Sequence, residues 1–367
     1  MNEARGLRAF LEHCQETLAR DKSTHWTILV ADNGSTDGSR EVVRALGVEL
    51  LEVPQRGYGA ALNAGISHAS TTWVIYADAD GTYSPQDAIR LLAAARENGG
   101  DLVVGDRLNG TIHPGAMPWS HRYLGTPVLS FLLRRLFSVP ISDCNSGIRC
   151  VRREAYQRWK IRSRGMEFAS ALLIKAALAG AKISEVPVEL KRGATHRVPH
   201  LRTWTDGMRH LLVILAASPN FFWRLGALLL VLSLALAVPC IHGPRIIFGG
   251  IGFFGEHTLV MALLIGFYGA LSANLALLLH SRSGFRSMPR TLRFLLEMRE
   301  GVLFWWLVTT LAVTMGGFFY IFLQWKNAQY RDIDYVKMIL FFLYLSIVHT
   351  SLLFGIFQAH LGRNRGT

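Results

Sequence analysis

An α/β domain followed by an α-helical membrane domain is the architecture that this 367-residue sequence predicts. Three observations predict it. In the N-terminal part, short β-type runs alternate with segments of helical periodicity, the pattern of a mostly parallel sheet with helices on both faces. Further on come four long apolar runs, Leu225–Ile241, Thr258–Leu279, Val302–Leu323 and Val336–Phe357, each long enough at helical rise to cross a bilayer core. Basic residues gather in alternate loops between those runs. The expected divisions are an α/β domain over 1–200, an interfacial amphipathic helix over 201–224 and a four-helix transmembrane domain over 225–367.

The first helix is expected over Arg5–Arg20, where Leu7, Phe10, Leu11, Cys14 and Leu18 recur at helical spacing. Thr27–Ala31 is a short β run ending in Asp32-Asn33-Gly34-Ser35-Thr36-Asp37-Gly38, a segment rich in turn formers. Ser39–Leu46 then reads as a helix and Glu49–Val53 as a strand. Arg56-Gly57-Tyr58-Gly59 opens a helix through Ser67, and its glycines allow close approach of backbone to a phosphate. Trp73–Ala77 is the next strand, followed by a helix over Pro85–Arg96 and a strand over Asp101–Gly105.

Asp32 and Asp78 both fall at strand ends, where open α/β sheets bind ligands. Side chains two apart on an extended segment point the same way, so Asp78 and Asp80 can face one divalent cation. A hard ion such as Mg²⁺ is held by one or two carboxylates plus substrate phosphates. The pair therefore points to a metal that grips a diphosphate, with a turn punctuated by Asp80-Gly81 as the bland alternative.

Charge is nearly absent from the four apolar runs. The loop Ser281–Gly301 carries Arg282, Arg286, Arg290, Arg293 and Arg299, and the tail carries Arg363 and Arg365. The alternate loops hold Arg245 in one, and Lys326 and Arg331 in the other. These charges place the N-terminal domain and both termini in the cytosol of a multi-pass protein of the cytoplasmic membrane. No signal-peptide pattern precedes the polar start. Trp204–Ser218 mixes basic and apolar residues and reads as a helix lying at the headgroup level. The four cysteines, Cys14, Cys144, Cys150 and Cys240, show no metal-ligand spacing and read as reduced thiols. The net charge of +13 fits anionic headgroups and phosphorylated substrates, with no nucleic-acid partner.

Asp32-Asn33-Gly34-Ser35-Thr36-Asp37, Arg56-Gly57-Tyr58-Gly59, Asp78-Ala79-Asp80, Gly105-Asp106-Arg107 and Asp143-Cys144-Asn145-Ser146-Gly147 occur in an order that resembles family 2 GT-A glycosyltransferases. Within that family the chain is most similar to polyprenyl-phosphate (dolichyl-phosphate) sugar synthases with a multi-span tail. The resemblance covers roughly residues 2 to 224. It implies a nucleotide-diphosphate sugar as donor, a polyprenyl phosphate as acceptor and Mg²⁺ or Mn²⁺ as cofactor. Asp32, with Asn33 and Gly57 beside it, then contacts the nucleotide, and Asp78 and Asp80 hold the metal. Arg107 lies near both phosphates, and Arg122 in Ser120-His121-Arg122-Tyr123 meets the lipid phosphate. Arg197 and Arg202 belong to a basic segment on the acceptor side. Homo-oligomers occur among related enzymes, and the sequence leaves that state open.

A polyprenyl phosphate is already an anion at neutral pH, so the reaction calls for screening two anions more than for a strong base. Glu167 is then free either to orient a sugar hydroxyl or to act as base for a different acceptor, and a helix N-terminal carboxylate is the structural alternative. The family's opening strand, which ends in P-x-x-N-E, is expected to be missing: Asn2-Glu3 follow Met1 directly, consistent with a start inside the domain. Asn33 replaces the second acid of the usual D-D-x-S, and Gly81-Thr82 stands where mannose synthases carry Leu-Gln. Gln157-Arg158-Trp159 lacks the spacing of the processive synthases' Q-x-x-R-W. A glycolipid synthase using a neutral lipid hydroxyl, and a non-catalytic donor-binding or lipid-translocating protein, are the remaining alternatives.

Overall fold

The computed structural model describes residues 2–193, 203–240, 245–247, 251–253, 255–283, 289, 293–294, 298–327, 329 and 333–364. The chain divides into two units, Met1–Leu215 and Ala216–Thr367. In the first, α1 (Ala4–Arg20), β1 (Leu29–Asp32), α2 (Ser39–Ala45), β2 (Glu49–Glu52), α3 (Tyr58–His68), β3 (Trp73–Tyr76), α4 (Pro85–Glu97) and β4 (Leu102–Ile112) follow the expected alternation. A π-helical turn over His121–Gly125 runs into α5 (Thr126–Phe137). Then come β5 (Arg149–Arg152), α6 (Arg153–Trp159), α7 (Phe168–Leu178), β6 (Ile183–Leu190) and α8 (Thr203–Ala216).

β1 and β2 pair in parallel, with Asp32 opposite Glu52. The other four strands form a sheet of order β3-β5-β4-β6. β4 and β6 are parallel, whereas β5 lies antiparallel between β3 and β4. The sheet is therefore mixed, with β5 running against β3, β4 and β6, which share one direction as expected. Instead of crossing to the far end of the sheet, the connection between β4 and β5 re-enters at the end where β4 leaves. That return holds Asp143 against Arg107, just beyond the straight part of β4.

Leu102, Val103 and Val104 are all buried, as expected of a strand covered on both faces. Leu91, Leu92 and Ala95 of α4 form a helical stripe that packs onto Val103, Ile148, Cys150 and Val188. Leu7 and Leu11 of α1 meet Val43 and Val48 in a second cluster. The β4–β6 ladder slips register between Asp106 and Thr111, and Arg107 sits at the start of that slip.

The second unit holds α9 (Pro219–Cys240), the antiparallel strands β7 (Arg245–Ile247) and β8 (Ile251–Phe253), α10 (Glu256–Ser283), α11 (Glu300–Asn327) and α12 (Ile333–Asn364). Among the described residues three helices are long and apolar enough to cross a membrane, over Pro219–Cys240, His257–His280 and Phe304–Asn327. The fourth expected span falls on α12, whose apolar stretch Phe342–Ile356 is shorter. The Ser233 hydroxyl donates to the Ala262 carbonyl (2.6 Å) and meets the Tyr344 hydroxyl at 2.8 Å. Asn274 Nδ2 donates to the Ser351 carbonyl (2.7 Å). These polar contacts tie α9, α10 and α12 together. The segment expected as one interfacial helix is two: α8 ends at Ala216 and α9 starts on Pro219, a residue suited to a first helical turn.

Candidate active site

β1 ends on the buried carboxylate of Asp32. Its oxygens accept the N–H groups of Gly34 (3.0 Å) and Ser35 (3.0 Å), the Ser35 hydroxyl, and Arg40 Nε (2.6 Å). Burial alone would raise its pKa; the hydrogen bonds from Ser35 and Arg40 overcome this and bring it to about 2. Next to it, the Asn33 amide donates to the Gln55 carbonyl (2.6 Å), and its side-chain oxygen accepts the Gly57 N–H (2.7 Å). Arg56 Nη1 donates to the carbonyls of Asn33 (2.9 Å) and Gly34 (3.0 Å). Gly57 has φ +130°, and a Cβ there would overlap the Arg164 carbonyl. Only glycine fits this close approach.

Asp78 and Asp80 lie in the loop after β3, both partly buried. Asp80 accepts the N–H (3.0 Å) and hydroxyl (2.6 Å) of Thr82. The Asp78 carboxylate packs against Gly147, so closely that a Cβ on Gly147 would overlap it. Tyr83 bridges the same two segments: its hydroxyl accepts the Gly147 N–H (2.8 Å). Burial, then the charge of Asp78, raises the Tyr58 hydroxyl well above its ordinary value.

Arg107 leaves β4 and is gripped by the fully buried Asp143 through Nε (2.6 Å) and Nη2 (2.8 Å). Its backbone N–H also reaches Asp143 (3.1 Å). Burial opposes the Arg107 charge, while Tyr83, Asp143 and Asp78 favour it, and the balance lies well above the usual arginine value. The Asp143 turn is held from behind by Glu185, whose oxygens accept the N–H groups of Ser142 (2.7 Å) and Asp143 (2.9 Å). Burial pushes the Glu185 carboxyl up.

Arg122 lies on the π-helical turn, exposed, with its guanidinium 5.4 Å from the Tyr123 ring centre. Around it Trp119, Tyr123, Leu124, Val128 and Phe131 are all exposed, Trp119 by 71%. Burial, then the charge of Arg107, lowers the pKa of the neighbouring His121. Glu167 stands just before α7 and accepts the Gly165 N–H (3.0 Å). Three residues on, the Ser170 hydroxyl meets His210 Nδ1 of α8 at 2.8 Å. Arg197 and Arg202 lie outside the described residues.

Asn33 and Gly57 are thus joined directly, and Asp78 and Arg107 share one electrostatic neighbourhood. Arg122 stands at an exposed apolar margin, and Glu167 stands at the N-terminal end of α7, bound to the Gly165 N–H. Sequence reasoning named no role for Asp143, Tyr83, Gly147 or Arg149. Asp143 and Gly147 bound a motif already visible in the sequence, and Arg149 is a lone cation inside the apolar run Ile148–Val151.

Among the described residues no group of three or more His, Cys, Asp or Glu side chains could hold a metal by itself. A pair such as Asp78 and Asp80 fits a hard ion that completes its shell with substrate phosphate and water.

Residues 1–159 match the family described as Glycosyl transferase family 2. The chain is 30% identical over 225 residues to the low-salt glycan biosynthesis hexosyltransferase Agl6 of Haloferax volcanii, covering 61% of this chain and 53% of that protein. It thus spans about half the length of that relative. It is 36% identical over 163 residues to an uncharacterized glycosyltransferase of Mycobacterium tuberculosis, covering 44% of this chain and 71% of the relative. A dolichyl-phosphate hexose transferase of Haloferax volcanii is 29% identical over 168 residues, covering 45% and 71%. With the strand-end carboxylates and the five motifs in order, these matches show that the chain belongs to glycosyl transferase family 2, with its GT-A architecture.

Proposed function

We propose that this chain transfers a hexose from a nucleoside-diphosphate sugar to a polyprenyl phosphate at the cytosolic face of the cytoplasmic membrane, with inversion at the sugar. One observation carries the acceptor half of this reading. The exposed Arg122 sits among Trp119, Tyr123, Leu124, Val128 and Phe131, a cation in an apolar margin suited to a phosphate on a lipid chain. The relative named a dolichyl-phosphate hexose transferase supports the same acceptor class.

In this reading Asp32, Asn33 and Gly57 shape the nucleotide end, and Asp78 and Asp80 would hold Mg²⁺ or Mn²⁺. When bound, the ion neutralises charge on the departing diphosphate. Arg107 keeps its planar fork fixed by Asp143 through Nε and Nη2, so Nη1 is presented in a set direction to a phosphate oxygen. Arg122 draws the acceptor phosphate, already an anion, toward the anomeric carbon, so no protein base has to remove a proton. Positioning two anions against fixed cations is the work of the site.

Full-length protein in liposomes containing undecaprenyl phosphate, given a panel of labelled nucleotide sugars with and without Mg²⁺, tests this. The expected result is metal-dependent label in an acid-labile lipid, lost in Asp78→Asn. Label on a neutral lipid instead would move the acceptor to a hydroxyl and Glu167 to the role of base. No label with any donor would remove the enzymatic reading.

A further inference from the structure

Arg149 opens β5 and is wholly buried. Its Nη2 donates to the Cys144 carbonyl (2.7 Å), its Nη1 to the Ala169 carbonyl (2.9 Å) and its Nε to the Ser146 carbonyl (3.3 Å). Tyr76, at the end of β3, is its cross-strand partner in the β3–β5 ladder. Among the described residues no carboxylate forms an ion pair with it. A buried cation is tolerated only when its donors are satisfied, and here main-chain carbonyls do most of that.

Two of those carbonyls belong to one turn, Cys144–Ser146, which is drawn inward around the guanidinium. The residues flanking the turn are those that touch the site. Asp143 holds Arg107 through two side-chain hydrogen bonds and one from the backbone N–H. Gly147 packs on the Asp78 carboxylate and donates to Tyr83. Fixing the turn from within therefore fixes both neighbours.

We propose that Arg149 is a positioning residue for the diphosphate site, and that Gly147 is the contact through which the Arg149 clamp seats Asp78. This rests on the reading of Asp78 as a metal carboxylate. A lysine keeps the charge, but its donors radiate from one nitrogen and do not reproduce the planar fork whose three separate nitrogens meet the three carbonyls. An alanine at 147 leaves the clamp intact but drives a methyl group into the Asp78 carboxylate and to 3.0 Å from the Tyr83 ring.

The test is Mn²⁺ binding to the full-length protein, read from loss of the free-ion EPR signal, for wild type, Arg149→Lys, Gly147→Ala, Asp78→Ala and Gly147→Ala/Asp78→Ala. Gly147→Ala and Arg149→Lys should each weaken Mn²⁺ binding by about 10- to 100-fold, as losses of outer-shell support do. Gly147→Ala should add nothing further once Asp78 is alanine, a non-additivity that a merely structural role does not give. If Arg149→Lys fails to fold, Gly147→Ala and its double variant still decide the matter. Wild-type Mn²⁺ affinity in Gly147→Ala, or an equal loss with and without Asp78, overturns the proposal. Unchanged affinity in Asp78→Ala overturns the metal reading itself, and is told apart by that variant alone.

Discussion

At the scale of single residues, the Arg107–Asp143 pair shows how the site makes a charge both fixed and available. Asp143 is fully buried and Arg107 nearly so. Removing one partner of such a pair leaves the other uncompensated, at a cost of about 3–5 kcal/mol. Asp143→Ala should therefore lose stability on that order in a urea titration of the detergent-solubilised protein. Replacing both residues with apolar ones of similar volume should cost less than the single change. A double-variant loss equal to the sum of the two single losses would show that the pair is not coupled. Asp32 behaves differently: its partners are its own loop and Arg40, so its negative charge shapes the turn that Asn33 ties to Gly57.

Individual elements were legible in the sequence to different degrees, and the misses have physical causes. Helical spacing of Leu7 and Leu11 marked the buried face of α1, and the apolar run before Asp78 marked β3. The reversed β5 was not legible, because strand direction depends on where a connection re-enters the sheet and leaves no periodic trace. Burial of Arg149 was also hidden, since an arginine in a strand usually reads as an exposed or edge position. The contact between α7 and α8 gives a pH prediction. Burial holds the His210 imidazole near a pKa of about 4, well below its unfolded value. The unfolded chain therefore takes up the proton first as pH falls. The stability contribution of neutral His210 is complete above about pH 6.5 and is lost as pH falls toward about 4. Thermal unfolding across that range should show the loss in wild type and a smaller one in His210→Gln. Parallel profiles would mean that His210 titrates normally.

For the molecule as a whole, apolar length and arginine placement already announced a membrane protein, and three helices bear out that length. The exposed face running from the π-helical turn into α5 was not foreseen, because Leu124, Val128 and Phe131 carry the same spacing as a core stripe and only the fold shows them uncovered. If this face meets lipid, nitroxides at Val128 and Phe131 in liposomes should be accessible to oxygen and shielded from a water-soluble nickel relaxant. A nitroxide at the exposed Arg90 on α4 should show the reverse. Nickel access at 128 and 131 equal to that at 90 would place α5 in water, and exclusion of both relaxants would indicate a protein partner. The hydrogen bonds of the second unit carry a consequence for biogenesis. Asn274 of α10 finds Ser351 on α12, made 77 residues later; Ser233 of α9 already has the Ala262 carbonyl of α10. If these helices lie in a bilayer, α10 must wait there with its Asn274 amide short of this partner, and a chain stopped before residue 351 never supplies it. Such a fragment would present quality-control proteases with an unmatched amide, a liability that α12 removes.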